Sequence, residues 1–190
     1  MASVPATLAQ LPQALLEPLP LFFYGTLMSG FRNHLSIVGS EERMSPARLQ
    51  SPCAALWHFE AGHPGLYEDG GGCGVVLGQL CSPRPEHYLA LLEKLDALEE
   101  FFGLADPRNV YERVVRDVIV GDGDGQPETM TRAYVYICLI PREGDGSAPC
   151  RLCPHGDWRR FMREAGLSDA ADDWSATLHR RLAEVEGAKT

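Results

Sequence analysis

The sequence predicts an α+β fold, and three features of its patterning lead to that class. Strand-like and helix-like segments are mixed along the chain without the regular alternation that a parallel sheet with crossover helices requires. One long segment, residues 82–103, has the apolar spacing of an amphipathic helix. Two β-branched runs, 111–120 and 130–140, flank a stretch of turn composition and predict a long hairpin. The sheet is therefore expected to be mixed or antiparallel.

The other elements are assigned from local composition. Apolar and β-branched runs bounded by Gly and Pro indicate strands, whereas stretches rich in Gly, Pro, Asp and Ser indicate loops. In chain order they are a strand at 20–24, a loop and short helix over 29–39, short strands over 46–68, a glycine-rich hairpin loop at 69–74, a strand at 75–81, an irregular loop at 141–157, and closing helices near 157–166 and 169–187. The sequence has no internal repeat.

Length and charge limit the classes of function. A chain of 190 residues suits one domain with extensions and can bury a core without disulfides. Its formal net charge of −9 argues against a duplex nucleic-acid binder. No apolar run approaches the roughly 20 residues of a membrane span, and the N-terminus lacks the positive region of a signal peptide. The six cysteines are therefore expected to be free thiols in a reducing cytoplasm.

The predicted helix at 82–103 carries a carboxylate on its apolar face. Its apolar residues follow i, i+3, i+4, i+7 spacing and form one stripe: Tyr88, Leu91, Leu92, Leu95, Leu98 and Phe102. At roughly 100° per residue, Glu93, Asp96 and Glu100 point toward solvent. Glu99 does not, because it falls within the stripe itself.

Two interpretations of Glu99 follow from its position. An ionised carboxylate on a core-facing stripe is unfavourable unless it is paired or hydrogen-bonded. Glu99 could lie at the edge of the stripe and pair with an arginine such as Arg113, or extend to solvent. Alternatively it faces a pocket, where partial burial would raise its pKa and suit it to general acid/base chemistry near neutral pH. The helical pattern alone does not choose between them.

Several motifs, taken in order, indicate a family. The segments that carry the resemblance are Phe-Tyr-Gly-Thr-Leu at 23–27 with Gly30 and Asn33-His34, His-Pro-Gly-Leu at 63–66, Val-Val-Leu-Gly-Gln-Leu at 75–80, Leu-Asp-Ala-Leu-Glu at 95–99, Tyr-Glu-Arg at 111–113, and Ala-Tyr-Val-Tyr at 133–136. The combination of YGTL, LDxxE and YxR in this order resembles the gamma-glutamylcyclotransferase-like proteins, which include the AIG2-like and gamma-glutamylamine cyclotransferase branches.

The resemblance covers about residues 20–140 and implies a small closed β-barrel of mixed strands flanked by helices. We therefore expect an N-terminal arm at 1–19, a barrel domain at 20–140, and a loop and helical extension at 141–190 that packs on the same domain. The family pattern implies that Glu99 is the acid/base. It also implies that the loop formed by Tyr24, Gly25, Thr26 and Leu27 binds the glutamyl head of a small-molecule substrate.

The reaction that the resemblance implies is an intramolecular aminolysis. The α-amine of a γ-glutamyl group attacks its own γ-carbonyl, which releases 5-oxoproline and an amine. The substrate must be held folded, and one carboxylate can take a proton from the α-ammonium and return one to the leaving amine. Main-chain N–H groups in a tight turn can bind the α-carboxylate and the oxyanion, and glycine allows close backbone approach. On this hypothesis Gly25 ends the strand so that these groups point at the ligand, and Tyr24 and Thr26 add hydroxyls; an ordinary turn after a core strand is the alternative.

Two positions depart from the family pattern. The family's Tyr-Pro pair is His63-Pro64 here, and Glu99 is followed by Glu100-Phe101-Phe102 where many members have glycine. These departures bear on the substrate more than on the acid/base. The leaving amine could be an amino acid, a lysine side chain, a polyamine or a larger natural product. Glutathione is a less favoured substrate, because the glutathione-degrading branch typically has YGSL where this sequence has YGTL.

Other chemical patterns in the sequence are incomplete. Cys150, Cys153 and His155 have spacing that could supply three zinc ligands, but a fourth is not evident. Cys53 and Cys73 lie near histidines without ordering into a nucleophile–base pair. The turn sequence DGDGQPE lacks the full calcium-loop pattern. We therefore predict no metal and no cofactor, and two classes stay open: a γ-glutamyl cyclotransferase, and a non-catalytic binding module on the same fold.

Overall fold

Eight strands and two α-helices make up the regular structure in the computed structural model, which describes residues 18–121, 127–142 and 148–168. The strands are β1 (Leu21–Phe23), β2 (Arg43–Gln50), β3 (Ala55–Phe59), β4 (His63–Tyr67), β5 (Val75–Ser82), β6 (Tyr111–Val120), β7 (Thr129–Cys138) and β8 (Cys150–Leu152). The helices are α1 (Tyr88–Leu98) and α2 (Trp158–Glu164), with a π-helical turn at His34–Val38.

Five strands close into a barrel in the order β1–β5–β2–β6–β7. The barrel closes at β1, which pairs antiparallel with β5 and parallel with β7, where Leu21 opposes Tyr134. The predicted hairpin is β6–β7, paired from Tyr111 opposite Cys138 to Val120 opposite Thr129. The predicted α+β class with a small, closed, mixed-strand barrel is confirmed.

A second sheet of three strands, in the order β4–β3–β8, lies beside the barrel. The prediction of an irregular loop at 141–157 is wrong in part, because β8 lies in this range and pairs antiparallel with β3. A strand of three residues is too short to show a period in the sequence. After β8, α2 buries Trp158, whose indole N–H donates to Nδ1 of His58 at 3.1 Å.

The long helix is shorter than its apolar pattern predicts. Five apolar residues of α1 are buried, but the helix ends at Leu98 rather than near Gly103. Glu100 has a φ of 51°, and the Phe101 N–H donates to the Asp96 carbonyl at 2.9 Å, which is the bonding of a Schellman cap. The assignment of Phe102 to the apolar stripe is therefore wrong: Phe101 is buried, and Phe102 is 40% exposed.

The left-handed backbone of Glu100 leads to a stability prediction. A residue with a Cβ is strained in this region by about 1 kcal/mol, whereas glycine is not. Glu100→Gly is expected to be neutral to stabilising, by up to about 1 kcal/mol, in chemical denaturation. Glu93→Gly, at an exposed position inside α1, is the matched control and should cost about 1 kcal/mol. Equal losses in the two variants would contradict this account of the cap.

The extension is described only as far as residue 168. Its described part contacts the second sheet through β8 and contributes Trp158 and Met162 to the core. The closing helix expected at 169–187 and most of the N-terminal arm lie outside the described residues. Among the helices that the structure describes, none is long and apolar enough to cross a membrane.

Candidate active site

A cavity of about 160 Å³ lies where the end of β1, the end of α1 and the β6–β7 hairpin meet. Its wall is formed by residues 22–27, Asn33, His63, Pro64, residues 98–100, Val110, Tyr111, Tyr136 and Ile140. The fold thus places all five residues predicted for the site, Tyr24, Gly25, Thr26, Leu27 and Glu99, around one cavity, although Glu99 is more than 70 positions from the loop in sequence.

Gly25 is required by a close approach of two chain segments. The Met28 N–H donates to the Gly25 carbonyl at 3.0 Å and closes a turn directly after β1. A Cβ at position 25 would clash with Cγ of Pro64 and lie 2.9 Å from its Cδ. Only glycine fits here without displacing Pro64, so the loop is pressed against β4 at the cavity wall.

The backbone N–H groups of Gly25, Thr26 and Leu27 donate to no acceptor within the described residues. Successive N–H groups in a turn form a concave site for an anion. The cavity wall contains no Lys or Arg among the described residues, so a carboxylate in the cavity would bind neutral donors such as these N–H groups.

The two hydroxyls of the loop have different roles. The Tyr24 hydroxyl donates to the Tyr136 carbonyl at 2.7 Å. It therefore links the residue after β1 to β7, and its proton is not available to a ligand. The Thr26 hydroxyl oxygen accepts from the Asn33 side-chain amide at 2.9 Å, which leaves its own proton for a further acceptor. Both Thr26 and Asn33 are buried.

Glu99 is the first residue after α1, at the cavity wall. Its N–H donates to the Leu95 carbonyl at 2.9 Å, and its carbonyl accepts from the Tyr111 N–H at 3.2 Å, so its backbone is fixed from both sides. Burial, and secondarily the negative charge of Asp96, raise the pKa of the Glu99 carboxyl to about 8. The structure therefore supports the interpretation that Glu99 faces a pocket.

Arg113, the arginine considered as a partner of Glu99, is bound to another carboxylate. Its Nη1 donates to both carboxylate oxygens of Asp96 at 2.8 Å. The prediction that Asp96 points to solvent is wrong, because its side chain is only 22% exposed and also accepts from the Tyr136 hydroxyl at 2.6 Å. The prediction from helical periodicity fails here because the barrel contacts both the apolar stripe of α1 and the neighbouring flank that carries Asp96.

Sequence reasoning missed four residues that shape the site: Asn33, Asp96, Arg113 and Tyr136. One signal was available for the last two, because they are cross-strand partners in the β6–β7 hairpin and so lie side by side. Using that signal requires the register of the hairpin, which turn composition alone does not give. His63, which departs from the family's Tyr, lies in the cavity wall with its ring stacked on Phe59, at 5.1 Å between centroids.

The incomplete zinc pattern is not assembled into a metal site within the described ranges. Cys150 is partly exposed on β8, Cys153 is buried in the core, and His155 is exposed. No group of three His, Cys, Asp or Glu side chains in the described part of the chain is arranged to hold a metal ion.

Comparison with solved structures finds similarity at low sequence identity. The allophanate hydrolase of Kluyveromyces lactis has a TM-score of 0.50 and 13% identity, over 81% of this chain and 22% of that chain, and shows the fold alone. An AIG2-like protein from Mus musculus has a TM-score of 0.49 and 20% identity, over 82% of this chain and 97% of that chain.

Sequence comparisons identify the family. A curated relative, the gamma-L-glutamyl-butirosin B gamma-glutamyl cyclotransferase of Niallia circulans, is 33% identical over 94 residues, which are 50% of this chain and 54% of that protein. This chain thus spans about half the length of that relative. The family described as "Gamma-glutamyl cyclotransferase, AIG2-like" matches residues 21–160. Because that match extends over most of the chain and includes the loop after β1 and Glu99, this protein belongs to the gamma-glutamyl cyclotransferase, AIG2-like family.

Proposed function

We propose that this protein is an enzyme that cyclises the γ-glutamyl group of a γ-glutamyl amide and releases 5-oxoproline and a free amine. The observation that carries the proposal is the placement of Glu99, a carboxyl with a raised pKa, in one cavity with the unpaired N–H groups of the loop after β1. Family membership and the activity named for the Niallia circulans relative support the reaction class.

The loop after β1 is the binding site for the anionic end of the substrate. The α-carboxylate of the glutamyl head accepts from the N–H groups of Gly25, Thr26 and Leu27, which otherwise have no acceptor in the described structure. Hydrogen bonds from main-chain N–H groups to a charged oxygen are short and strong. Anchoring this end leaves the α-amine and the γ-carbonyl of the same group to be folded toward Glu99.

Glu99 is matched to the proton that it has to move. Its pKa of about 8 lies closer to that of an α-ammonium than the ordinary carboxyl value of about 4.3 does, so proton transfer between the two groups costs less. Ionised Glu99 takes the proton from the α-ammonium, and the neutral amine forms its bond to the γ-carbon. Protonated Glu99 then gives its proton to the leaving nitrogen as the old carbon–nitrogen bond breaks, and the remaining excess proton on the ring nitrogen passes to water.

The Thr26 hydroxyl is placed to stabilise the intermediate. Because its oxygen accepts from Asn33, its proton is directed to another acceptor in the cavity. The tetrahedral intermediate carries its negative charge on the former γ-carbonyl oxygen, and a fixed donor lowers its energy without reorganisation. Asn33, through Thr26, is therefore a positioning residue in this account.

The proposal is tested by incubating the protein with γ-glutamyl amino acids and γ-glutamyl amines and measuring both products. We expect equimolar 5-oxoproline and amine from at least one substrate, and the preferred substrate identifies the leaving amine. Calorimetric binding of these compounds without release of 5-oxoproline would contradict the proposal and favour a non-catalytic binding module.

A further inference from the structure

Arg113, Asp96 and Tyr136 form a hydrogen-bonded unit, and Tyr136 lines the same cavity as Glu99. Asp96 accepts two hydrogen bonds from Arg113 Nη1 and one from the Tyr136 hydroxyl. Asp96 and Glu99 are three positions apart at the end of α1, a spacing that puts two side chains side by side on a helix. Asp96, which the helical pattern assigned to solvent, is therefore the charged group that acts on the carboxyl of the proposed acid/base.

The charge on Asp96 is fixed by Arg113. The guanidinium of Arg113 is fully buried between the rings of Phe101 and Tyr134, whose centroids lie 5.0 and 5.1 Å away. Its Nε and Nη2 atoms have no hydrogen-bond partner among the described residues. A buried cation without a counter-charge is strongly destabilising, so the fold requires Asp96 as an anion.

The titratable groups that face Glu99 come from each element around it. Those coupled to Glu99 are Asp96 from α1, Tyr24 after β1, Tyr111 from β6, and Tyr136 and Cys138 from β7, while His63 from β4 and Glu100 after α1 line the same cavity. Burial raises the pKa of each tyrosine hydroxyl and of the Cys138 thiol, so these four are neutral near pH 7. Asp96 is thus the charged one of the five coupled groups, and its negative charge favours the protonated form of Glu99.

Asp96 keeps its own charge while Glu99 keeps its proton. Burial raises the pKa of Asp96 to about 6, and the contacts with Arg113 and Tyr136 hold it below that of Glu99. Between these two values the pair carries one proton, on Glu99. A site that must take one proton from an ammonium and return it benefits from this arrangement, because the acid form is close in energy to the base form.

We propose that Asp96, held in place by Arg113 and Tyr136, is a positioning residue that sets the protonation state of Glu99. The catalytic benefit of this effect rests on the proposed function. The physical claim, that one carboxylate biases the other, holds whether or not a substrate is turned over. It can therefore fail or succeed independently of the cyclotransferase assignment.

The direct test is a carbon-13 NMR titration of the side-chain carboxyls in the ligand-free protein. Asp96→Asn is nearly isosteric and removes the charge, and we expect the midpoint of Glu99 to move to lower pH by on the order of one unit, as for loss of a nearby like charge. Glu93→Gln, which removes an exposed carboxylate from the same helix, is the matched control and should leave the midpoint in place. An unchanged Glu99 midpoint in Asp96→Asn would overturn the proposal.

The wild type alone provides a second test, in case Asp96→Asn does not fold. The Asp96 carboxyl should titrate first, and the Glu99 resonance should show a second, small inflection at that pH because the two groups are coupled. Titration of Glu99 before Asp96, or without any inflection at the Asp96 midpoint, would refute the bias.

A kinetic readout separates this role from a structural one. If the protein turns over a γ-glutamyl amide, the acid limb of kcat/KM reports Glu99 in the free enzyme. Asp96→Asn should shift that limb to lower pH, so the variant loses less activity than the wild type between pH 8 and pH 6. A uniform loss of rate with an unmoved limb would mean that Asp96 only supports the fold.

Discussion

Glu99→Gln is expected to lower kcat by about 10²–10⁴-fold, the usual contribution of a general acid/base. The amide of Gln fills the same volume and keeps the backbone contacts to Leu95 and Tyr111, but it cannot carry the proton from the α-ammonium to the leaving amine. The measurement is the rate of 5-oxoproline release at saturating substrate. KM should change much less than kcat, because the loop after β1 still binds the α-carboxylate.

The same variant is expected to be more stable than the wild type at alkaline pH. The folded-state pKa of Glu99, about 8, lies above its ordinary value of 4.5. The stability linked to this group is therefore fully present below about pH 4.5 and is lost as the pH rises to about 8. Glu99→Gln avoids that loss and should gain about 1–3 kcal/mol at pH 9 and little at pH 4.

The control for both effects is Glu93→Gln, an exposed carboxylate on α1 outside the cavity. We expect wild-type turnover and an unchanged pH dependence of stability from it. Undiminished turnover by folded Glu99→Gln would remove Glu99 from the mechanism, and equal stability at pH 4 and pH 9 relative to wild type would show that its carboxyl is not desolvated.

Gly25→Ala is expected to have the second largest effect, because no space exists for a methyl group between the loop and Pro64. The new Cβ would clash with Cγ and lie 2.9 Å from Cδ of Pro64, so one of the two segments must move. Overpacking of this kind costs about 1–3 kcal/mol of stability. A displacement of the binding loop by about 1 Å can cost about 10²-fold in rate.

A double-mutant cycle with Pro64→Ala tests the cause. Pro64→Ala removes the two ring atoms that the new methyl group would meet. The destabilisation by Gly25→Ala should therefore be clearly smaller in the Pro64→Ala background, a coupling between contacting residues. Additive losses in denaturation experiments would show that the glycine is needed for another reason.

The fold could be predicted where a local sequence pattern marks an element, and where the order of the YGTL, LDxxE and YxR motifs indicates the family. The β6–β7 hairpin has a strong β-branched pattern on both sides of its turn, and α1 has five buried apolar residues at helical spacing. The end of α1 could not be predicted, because Glu100 occupies a left-handed position that glycine normally signals. Strand β8 was missed because it has three residues and depends on pairing with β3.

The site also has a part that could be predicted from the sequence and a part that could not. Glu99 and the loop after β1 follow from motifs, and both lie at the cavity. The Asp96–Arg113–Tyr136 unit could not be derived, because it joins a helix to a hairpin through bonds across 17 and 40 positions of sequence. Tyr24 also shows this limit, since its hydroxyl is bound to a carbonyl 112 positions away that no local pattern indicates.

The most direct test of the central claim is the identity of the product formed from the preferred γ-glutamyl amide in ¹⁸O-labelled water. Intramolecular attack by the α-amine predicts 5-oxoproline without the label, in amounts equal to the released amine and at a rate that falls in Glu99→Gln. Labelled glutamate as the product would contradict the account, because it would mean that water, and not the substrate's own amine, attacks the γ-carbonyl.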